Sequence, residues 1–315
     1  MATYVRTQSI DHSVGERGKV SLGVTSGDVR VRGVAGGDAH IRATFEIPAT
    51  SDADADRIFN EVQLRVSRSS GVLTAEEHGG GHSVGSVIGR LFGANPYQLS
   101  VEADLPAAAS VELNTVSSDV DVIDLLGEQH YRTVSGDLSV ANAGGSIRLE
   151  SVSGDATIRA KGTLDLRSQG VSGDLNVAAP MLRSLSANTV SGDVELEAEL
   201  DGAGSFRIET VSGDLEVGLV GDAIFEIHGL STDVSSELDH RLEGQVDRRR
   251  LIIGQGGPRL VFNSMSGDVD VRRPRHINPR PSATPVPQSQ MEVLRALERG
   301  EIDVDEATRR LEGES

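Results

Sequence analysis

From residue 111 to 271 apolar and polar positions alternate in short runs, as in Ile147, Leu149, Ala156 and Ile158, or Phe206, Ile208, Leu215 and Val217. That period predicts half-buried strands. The runs flank a repeated corner: TVSGDLSV at 133–140, SVSGDATI at 151–158, GVSGDLNV at 170–177, TVSGDVEL at 189–196 and TVSGDLEV at 210–217, with TSGDVRV, VSSDVDV, LSTDVSS and MSGDVDV as outlying variants. Two inward residues lead to a third inward Ser or Thr (Thr115, Thr133, Ser151, Thr189, Thr210), and Val then shifts the alternation by one residue, as a bend does. Ser-Gly-Asp supplies turn chemistry, because Gly accepts positive φ and the Ser and Asp side chains reach nearby backbone N–H groups. In the resulting register Leu149, Ile158, Leu166 and Val177 face inward, and Arg148, Arg159 and Arg167 face outward.

The corner aspartates Asp119, Asp137, Asp155, Asp174, Asp193, Asp214 and Asp233 are separated by 18, 18, 19, 19, 21 and 19 residues, the fixed period of a stacked repeat. Asp268 lies 35 residues further on, so a coil that has lost its signature is expected around 244–254. Asp28 stands 91 residues before Asp119, which leaves room for unmarked coils or an insertion. A parallel solenoid and an antiparallel meander both fit the alternation. The solenoid is favoured, since it stacks identical Val, Thr and Asp columns directly at about 4.8 Å.

The pattern breaks at 50–96. TSDADADRIFNEVQL, at 50–64, opens with capping and acidic first-turn residues and predicts a short helix; a glycine-rich loop, HGGGHSVGSVIGRLFGANP, follows at 78–96. Residues 272–290 hold five prolines and four arginines and read as an extended linker. Residues 291–315 predict two helices, with Met291, Leu294 and Leu297 on the first and Ile302, Val304, Ala307 and Leu311 on the second. Gly300 separates them, and Asp303 with Glu306 forms a capping pair.

The serial VSGD units at 111–271 resemble the bacterial "putative adhesin" β-strand-repeat domain of unknown function. The stretch VLRALERGEIDVDEATRRLEG, at 293–313, is similar to the short helical C-terminal module of LiaX- and YvlB-type envelope-stress proteins, through Leu294, Leu297, Gly300, Ile302, Asp303, Glu306 and Ala307. The module's usual cap is Ser or Thr, and Asp303 supplies the same bond. The resemblance implies a β-solenoid with a helical tail and a connection to the cell envelope.

Charge and composition narrow the function. A net charge of −18 excludes a nucleic-acid backbone as the main partner, and six Phe, three Tyr and no Trp leave few stacking platforms. There is no Cys, hence no disulfide or thiolate zinc site, and all but two basic residues are arginines. Without an apolar run of signal-peptide or membrane-span length, a cytoplasmic protein is expected, with association at the envelope a further expectation and membrane contact not indicated.

The aspartates Asp28, Asp119, Asp137, Asp155, Asp174, Asp193, Asp214, Asp233 and Asp268 are read as structural, each accepting hydrogen bonds within its own turn. A cation ladder along the column is the alternative, although one carboxylate per coil is sparse for calcium. Catalysis by these residues is not expected, because it needs carboxylates in different environments and these are equivalent. His78 and His82 flank three glycines and are read as a solvated loop, not a metal pair. Val87, Ile88, Leu91 and Phe92 in the same loop suit a lid on an open end of the stack better than a surface anchor. No catalytic, cofactor or metal site is expected.

The chain is therefore read as a mainly β, stacked parallel solenoid over 1–271, with an insertion at about 50–96, a linker at 272–290 and a two-helix tail at 291–315. Its expected role is a non-enzymatic scaffold. The seven apolar tail residues, too few to enclose a core, would dock on a protein partner or on a second copy. A binding protein for cations or polyvalent ligands is the alternative. A carbohydrate-active solenoid is a third reading, opposed by the missing Trp and the lack of a distinct acidic cluster.

Overall fold

The computed structural model describes residues 2–77, 97–245 and 247–275. The first strands are β1 (Ala2–Ser13), β2 (Lys19–Ser26), β3 (Asp28–Val34) and β4 (Asp38–Ala49), followed by helix α1 (Asp52–Val62). Next come β5 (Arg65–Ser69), β6 (Val72–Glu76), β7 (Gln98–Pro106), β8 (Ser110–Ser117), β9 (Val120–Ile123) and β10 (Glu128–Thr133). The long strands β11 (Leu138–Ser151), β12 (Ala156–Gln169), β13 (Leu175–Asn188) and β14 (Val194–Glu209) form the middle of the stack. The last strands among the described residues are β15 (Leu215–Val220), β16 (Ala223–Ser231), β17 (Val234–Ser236), β18 (His240–Gln245), β19 (Arg248–Ile253), β20 (Arg259–Ser266) and β21 (Val269–Arg272).

Each coil contributes one segment before its Ser-Gly-Asp corner and one after it, so the pairing resolves into two ladders. Before the corner the order is β5, β6, β2, β8, β10, the second halves of β11 to β14, then β20, β16, β19 and β18. After it the order is β1, β4, β7, β3, β9, the first halves of β11 to β14, then β15, β21 and β17. Pairing is parallel through the middle and antiparallel at both ends, in β1–β4, β4–β7 and β5–β6 and again in β16–β19 and β18–β19. On the side opposite the corner the long strands bend through register shifts, as between Val140 and Gly145 in β11, instead of ending in loops.

The inner face is one continuous apolar column. Leu149, Ile158, Leu166 and Val177 are all buried, whereas Arg148, Arg159 and Arg167 are exposed. Phe206, Phe225 and Phe262 fill the later coils, and burying each aromatic side chain stabilises the fold by roughly 1.5–3 kcal/mol.

The order of the coils adds to the sequence reading, and the expected coil at 244–254 is corrected. The coils do not stack in sequence order: the Asp268 coil (β20–β21) lies between those of Asp214 and Asp233, and the Asp28 coil (β2–β3) lies between the coil of β6 and β7 and that of β8 and β9. The stretch at 244–254 is not a coil that lost its signature. It belongs to the antiparallel hairpin β18–β19, which pairs with β16 and carries the chain back to insert β20 on the other side of β16.

Within the 50–96 region, α1 begins at Ser51, whose hydroxyl accepts from the Asp54 N–H at 3.2 Å, and Phe59 packs edge-on against Phe45 at 5.4 Å. The loop residues His78, His82, Val87, Ile88, Leu91 and Phe92 lie outside the described residues. So do the linker from residue 276 onward and the tail with Met291, Leu294, Leu297, Ile302, Val304, Ala307 and Leu311. Among the described residues no helix is long and apolar enough to cross a membrane.

Candidate functional site

The Ser-Gly-Asp corners stack into one ridge along the edge of the molecule, and each residue type in it does a separate job. The inward hydroxyls close the bend locally: Thr133, Thr189 and Thr210 each donate to the carbonyl of the Ser two residues on, at 3.0 Å. The Ser N–H groups carry the ladder around the bend, as in Ser153 to the Val134 carbonyl at 2.9 Å and Ser191 to the Val171 carbonyl at 2.9 Å. Backbone pairing therefore continues through the corner.

The glycine is required twice over. Gly173 has φ +114°, and a Cβ there would stand 2.2 Å from the carbonyl oxygen of Gly154 on the neighbouring coil. Ser118 and Thr232, which occupy this place in two coils, do not take positive φ; both are buried, with hydroxyls lacking a hydrogen-bond partner among the described residues.

The aspartates bond between coils, not within their own turns, which corrects the local role expected of them. Asp119 Oδ1 accepts from the Asp137 N–H at 3.0 Å, Asp137 from Asp155 at 2.9 Å, Asp155 from Asp174 at 2.9 Å and Asp174 from Asp193 at 2.8 Å. Asp193 accepts from Asp214 at 2.8 Å, Asp214 from Asp268 at 2.7 Å and Asp268 from Asp233 at 2.8 Å. The following N–H returns the bond to the next Asp carbonyl, as from Leu138 to Asp155 at 2.9 Å. Each carboxylate thus stands in for a backbone acceptor where the strand pairing turns the corner. Asp28 joins through its coil's backbone, with the Val29 N–H donating to the Asp119 carbonyl at 3.0 Å. Among the described residues no group of three or more acidic or His side chains is arranged to hold a metal.

Beside this acidic column runs an apolar one, formed by the residue that breaks the alternation. Val134, Val152, Val171, Val190 and Val211 are 43% to 49% exposed, and Met265 and Leu230 continue the column at 57% and 73%. Stacked neighbours cover each other's flanks, which leaves the outer half of each side chain to solvent. Isolated exposed apolar residues are ordinary; a contiguous column of them is not. The repeat itself was the signal for this feature: a recurrent apolar residue at the bend cannot point into the core that its neighbours on either side fill.

Two polar constellations escaped the sequence reading. Arg272, expected to open the linker, is the last residue of β21 and its side chain is 2% exposed. Its Nη1 donates to Glu197 Oε1 at 2.9 Å, and it also pairs with Glu195 and Glu216, while the Arg275 N–H donates to Glu197 at 2.7 Å. No local pattern announces a residue whose partners lie 56 to 77 positions away. The second is an outer-face groove of about 640 Å³ at the N-terminal end, where Arg32 pairs with Asp104 at 2.8 Å and His40 hydrogen-bonds Asp11 at 2.7 Å, with Arg42 and Glu102 also in its lining. The Asp11 carboxylate raises the His40 pKa.

Among solved structures the chain is similar to a "putative adhesin" from Bacteroides fragilis, at 13% identity and TM-score 0.42, covering 84% of this chain and 97% of that one. A "putative adhesin" from Parabacteroides distasonis aligns at 14% identity and TM-score 0.37, over 85% and 97% of the two chains. A "putative lipid binding protein" from the same species aligns at 9% identity and TM-score 0.26, over 85% and 97%. No curated protein matches the chain. The sequence pattern of Toastrack DUF4097 matches residues 7–184 and 172–272, which takes in both ladders and every Ser-Gly-Asp corner, and the chain belongs to that family.

Proposed function

We propose that this protein is a non-enzymatic, adhesin-like β scaffold that presents its corner ridge to a protein partner. The observation that carries this reading is the exposed column from Val134 to Leu230, which the fold maintains coil after coil without needing it for the core. With the aspartates alongside, the ridge suits a partner that offers apolar side chains together with basic ones. The tail at 291–315 is a second contact in this proposal. Its seven apolar residues favour docking on a protein partner or self-association, and the resemblance of that tail to envelope-stress modules favours a role at the cell envelope.

The test is photo-crosslinking in cells from residue 171 on the ridge and, as a control, from residue 159 on an outer face. The reading expects a discrete adduct from 171 that is absent from 159 and lost when Val152 and Val190 are changed to Ser. Identical adducts from the two positions would sink it.

A further inference from the structure

Both ladders have to end, and three of the four ends are blunted in recognisable ways. β17 has three residues, β5 carries Arg65 and Arg68 in five, and β18 carries Arg241, Glu243 and a glycine at φ +101° in six. Short length, charge and irregular backbone are the usual defences of a free edge. β1 is neither short nor irregular, and its two charged residues, Arg6 and Asp11, are held by partners in its own molecule. It runs for 12 residues in unbroken register with β4, contains neither Pro nor Gly, and among the described residues pairs on one side only.

Its side chains divide cleanly. The inner set closes the end of the core: Arg6 bonds Asp52 and Asp56, each at 2.7 Å, Gln8 bonds the Leu64 backbone in both directions, and His12 Nε2 donates to the Ser69 carbonyl at 2.9 Å. Asp11 is held by His40 at 2.7 Å. The outer set, Thr3, Val5, Thr7, Ser9 and Asp11, is exposed, with Val5 at 56%, and Asp11 is its one charged member. Arg6 is paired with Asp52 and Asp56 and Asp11 is hydrogen-bonded to His40, so the edge offers alternate backbone N–H and C=O groups with each charged side chain already engaged; Arg6 Nη1 also donates to the Val5 carbonyl at 3.0 Å and would release it on pairing.

We propose that β1 pairs antiparallel with β1 of a second copy, joining the after-corner ladders of two molecules into one sheet across a two-fold axis. A second copy is the matching occupant because a strand satisfies its own free edge when turned end for end, and the axis normal to the sheet keeps both outer faces on one side. Pairing centred near Thr7 opposes Thr7 to itself and Val5 to Ser9, and uses nearly the whole strand. In a chain of net charge −18, this locally neutral edge is also where two copies repel least. The contact goes beyond the partner-docking reading and requires neither the ridge nor the tail.

The chain contains no Cys, so single cysteines report the contact directly. Thr3→Cys, Val5→Cys, Thr7→Cys and Ser9→Cys are oxidised under mild conditions, with Gln245→Cys on the β18 edge as control. Directly opposed residues of an antiparallel pair lie about 4.5–5.5 Å apart at Cα, within disulfide reach. The proposal expects light scattering of the unmodified chain to give twice the 33.2 kDa of one chain. It also expects cross-linked dimer to form at least tenfold faster at one β1 position than at residue 245, falling off on both sides of it. A monomer at tens of micromolar would overturn the proposal. So would a dimer whose β1 cysteines react no faster than the control, which is the outcome expected if association runs through the tail alone.

Discussion

Asp155 accepts the backbone N–H of Asp174, the residue in its own place one coil further on, at 2.9 Å, and its carbonyl in turn receives the N–H of Leu138 from the coil before. An amide oxygen serves the first bond as well as a carboxylate does. Asp155→Asn should therefore leave the thermal midpoint within a degree or two, with relief of repulsion from Asp137 and Asp174 offsetting the weaker acceptor. Asp155→Ala, which orphans the Asp174 N–H, should cost about 1 kcal/mol in chemical denaturation. Equal losses for both variants would contradict an acceptor role.

The glycine column predicts a steeper effect. Gly173→Ala places a Cβ against the Gly154 carbonyl at a backbone angle that L-residues resist, and should cost at least 2–3 kcal/mol. Gly162→Ala, where nothing stands within 4 Å and φ is not positive, should stay within about 0.5 kcal/mol of the parent. Denaturant midpoints of the two variants, measured side by side, check the contrast.

Arg272 neutralises Glu197, whose side chain is 3% exposed. Arg272→Met should destabilise by about 3–5 kcal/mol because it leaves a buried carboxylate without its cation. The double change with Glu197→Gln should recover part of the loss, and a double-mutant cycle in urea reads the coupling. Additive losses would mean that the pair is not coupled.

Acid should weaken the stack at its cross-coil ion pairs. The hydrogen bond from Arg183 holds the Asp165 carboxyl below its usual range, assisted by Ser184, and Lys19 does the same for Glu112. A carboxylate with a depressed folded pKa contributes stability that is fully present above its unfolded value and is lost as pH falls through the folded value. The thermal midpoint should therefore hold from pH 7 to about 5 and decline below about 4. Asp165→Asn should reduce the slope of that decline, and an unchanged slope would assign the acid loss to other groups.

For the tail, deletion of residues 288–315 should leave the stack folded by far-UV circular dichroism and remove a bound partner or lower the apparent mass. Leu294→Asp combined with Leu297→Asp should do the same. Unchanged mass and unchanged partners in both would end the tail-docking reading.

The alternation was readable because inward positions recur at fixed places around a marked corner; Leu149 and Arg148 need only their own neighbours in sequence to be assigned opposite faces. Coil order was not readable. Leu215 pairs with Val269 as well as it could with any apolar residue at the same place in another coil, so nothing in the repeat says that the coil of Asp268 precedes that of Asp233 in the stack. The partner of each aspartate was misassigned for a related reason: a turn residue suggests local bonds, whereas the acceptor role is filled 18 to 21 positions away through most of the ladder and 54 positions away where Asp268 meets Asp214. The valine ridge was visible as a broken alternation, but its exposure follows from the stacking of the coils, in which no strand among the described residues covers it.

The central claim is that the aspartates of the repeated Ser-Gly-Asp turn a corner and do not form a cation ladder. Calorimetric titration of the chain with calcium at neutral pH and moderate salt tests this most directly. With the carboxylates of Asp119, Asp137, Asp155, Asp174, Asp193, Asp214 and Asp268 each engaged by a backbone N–H of the next coil, no binding heat and no rise in the unfolding temperature are predicted. Saturable binding of several calcium ions per chain, abolished by changing Asp137, Asp155 and Asp174 to Asn, would contradict the claim and make the column a cation ladder.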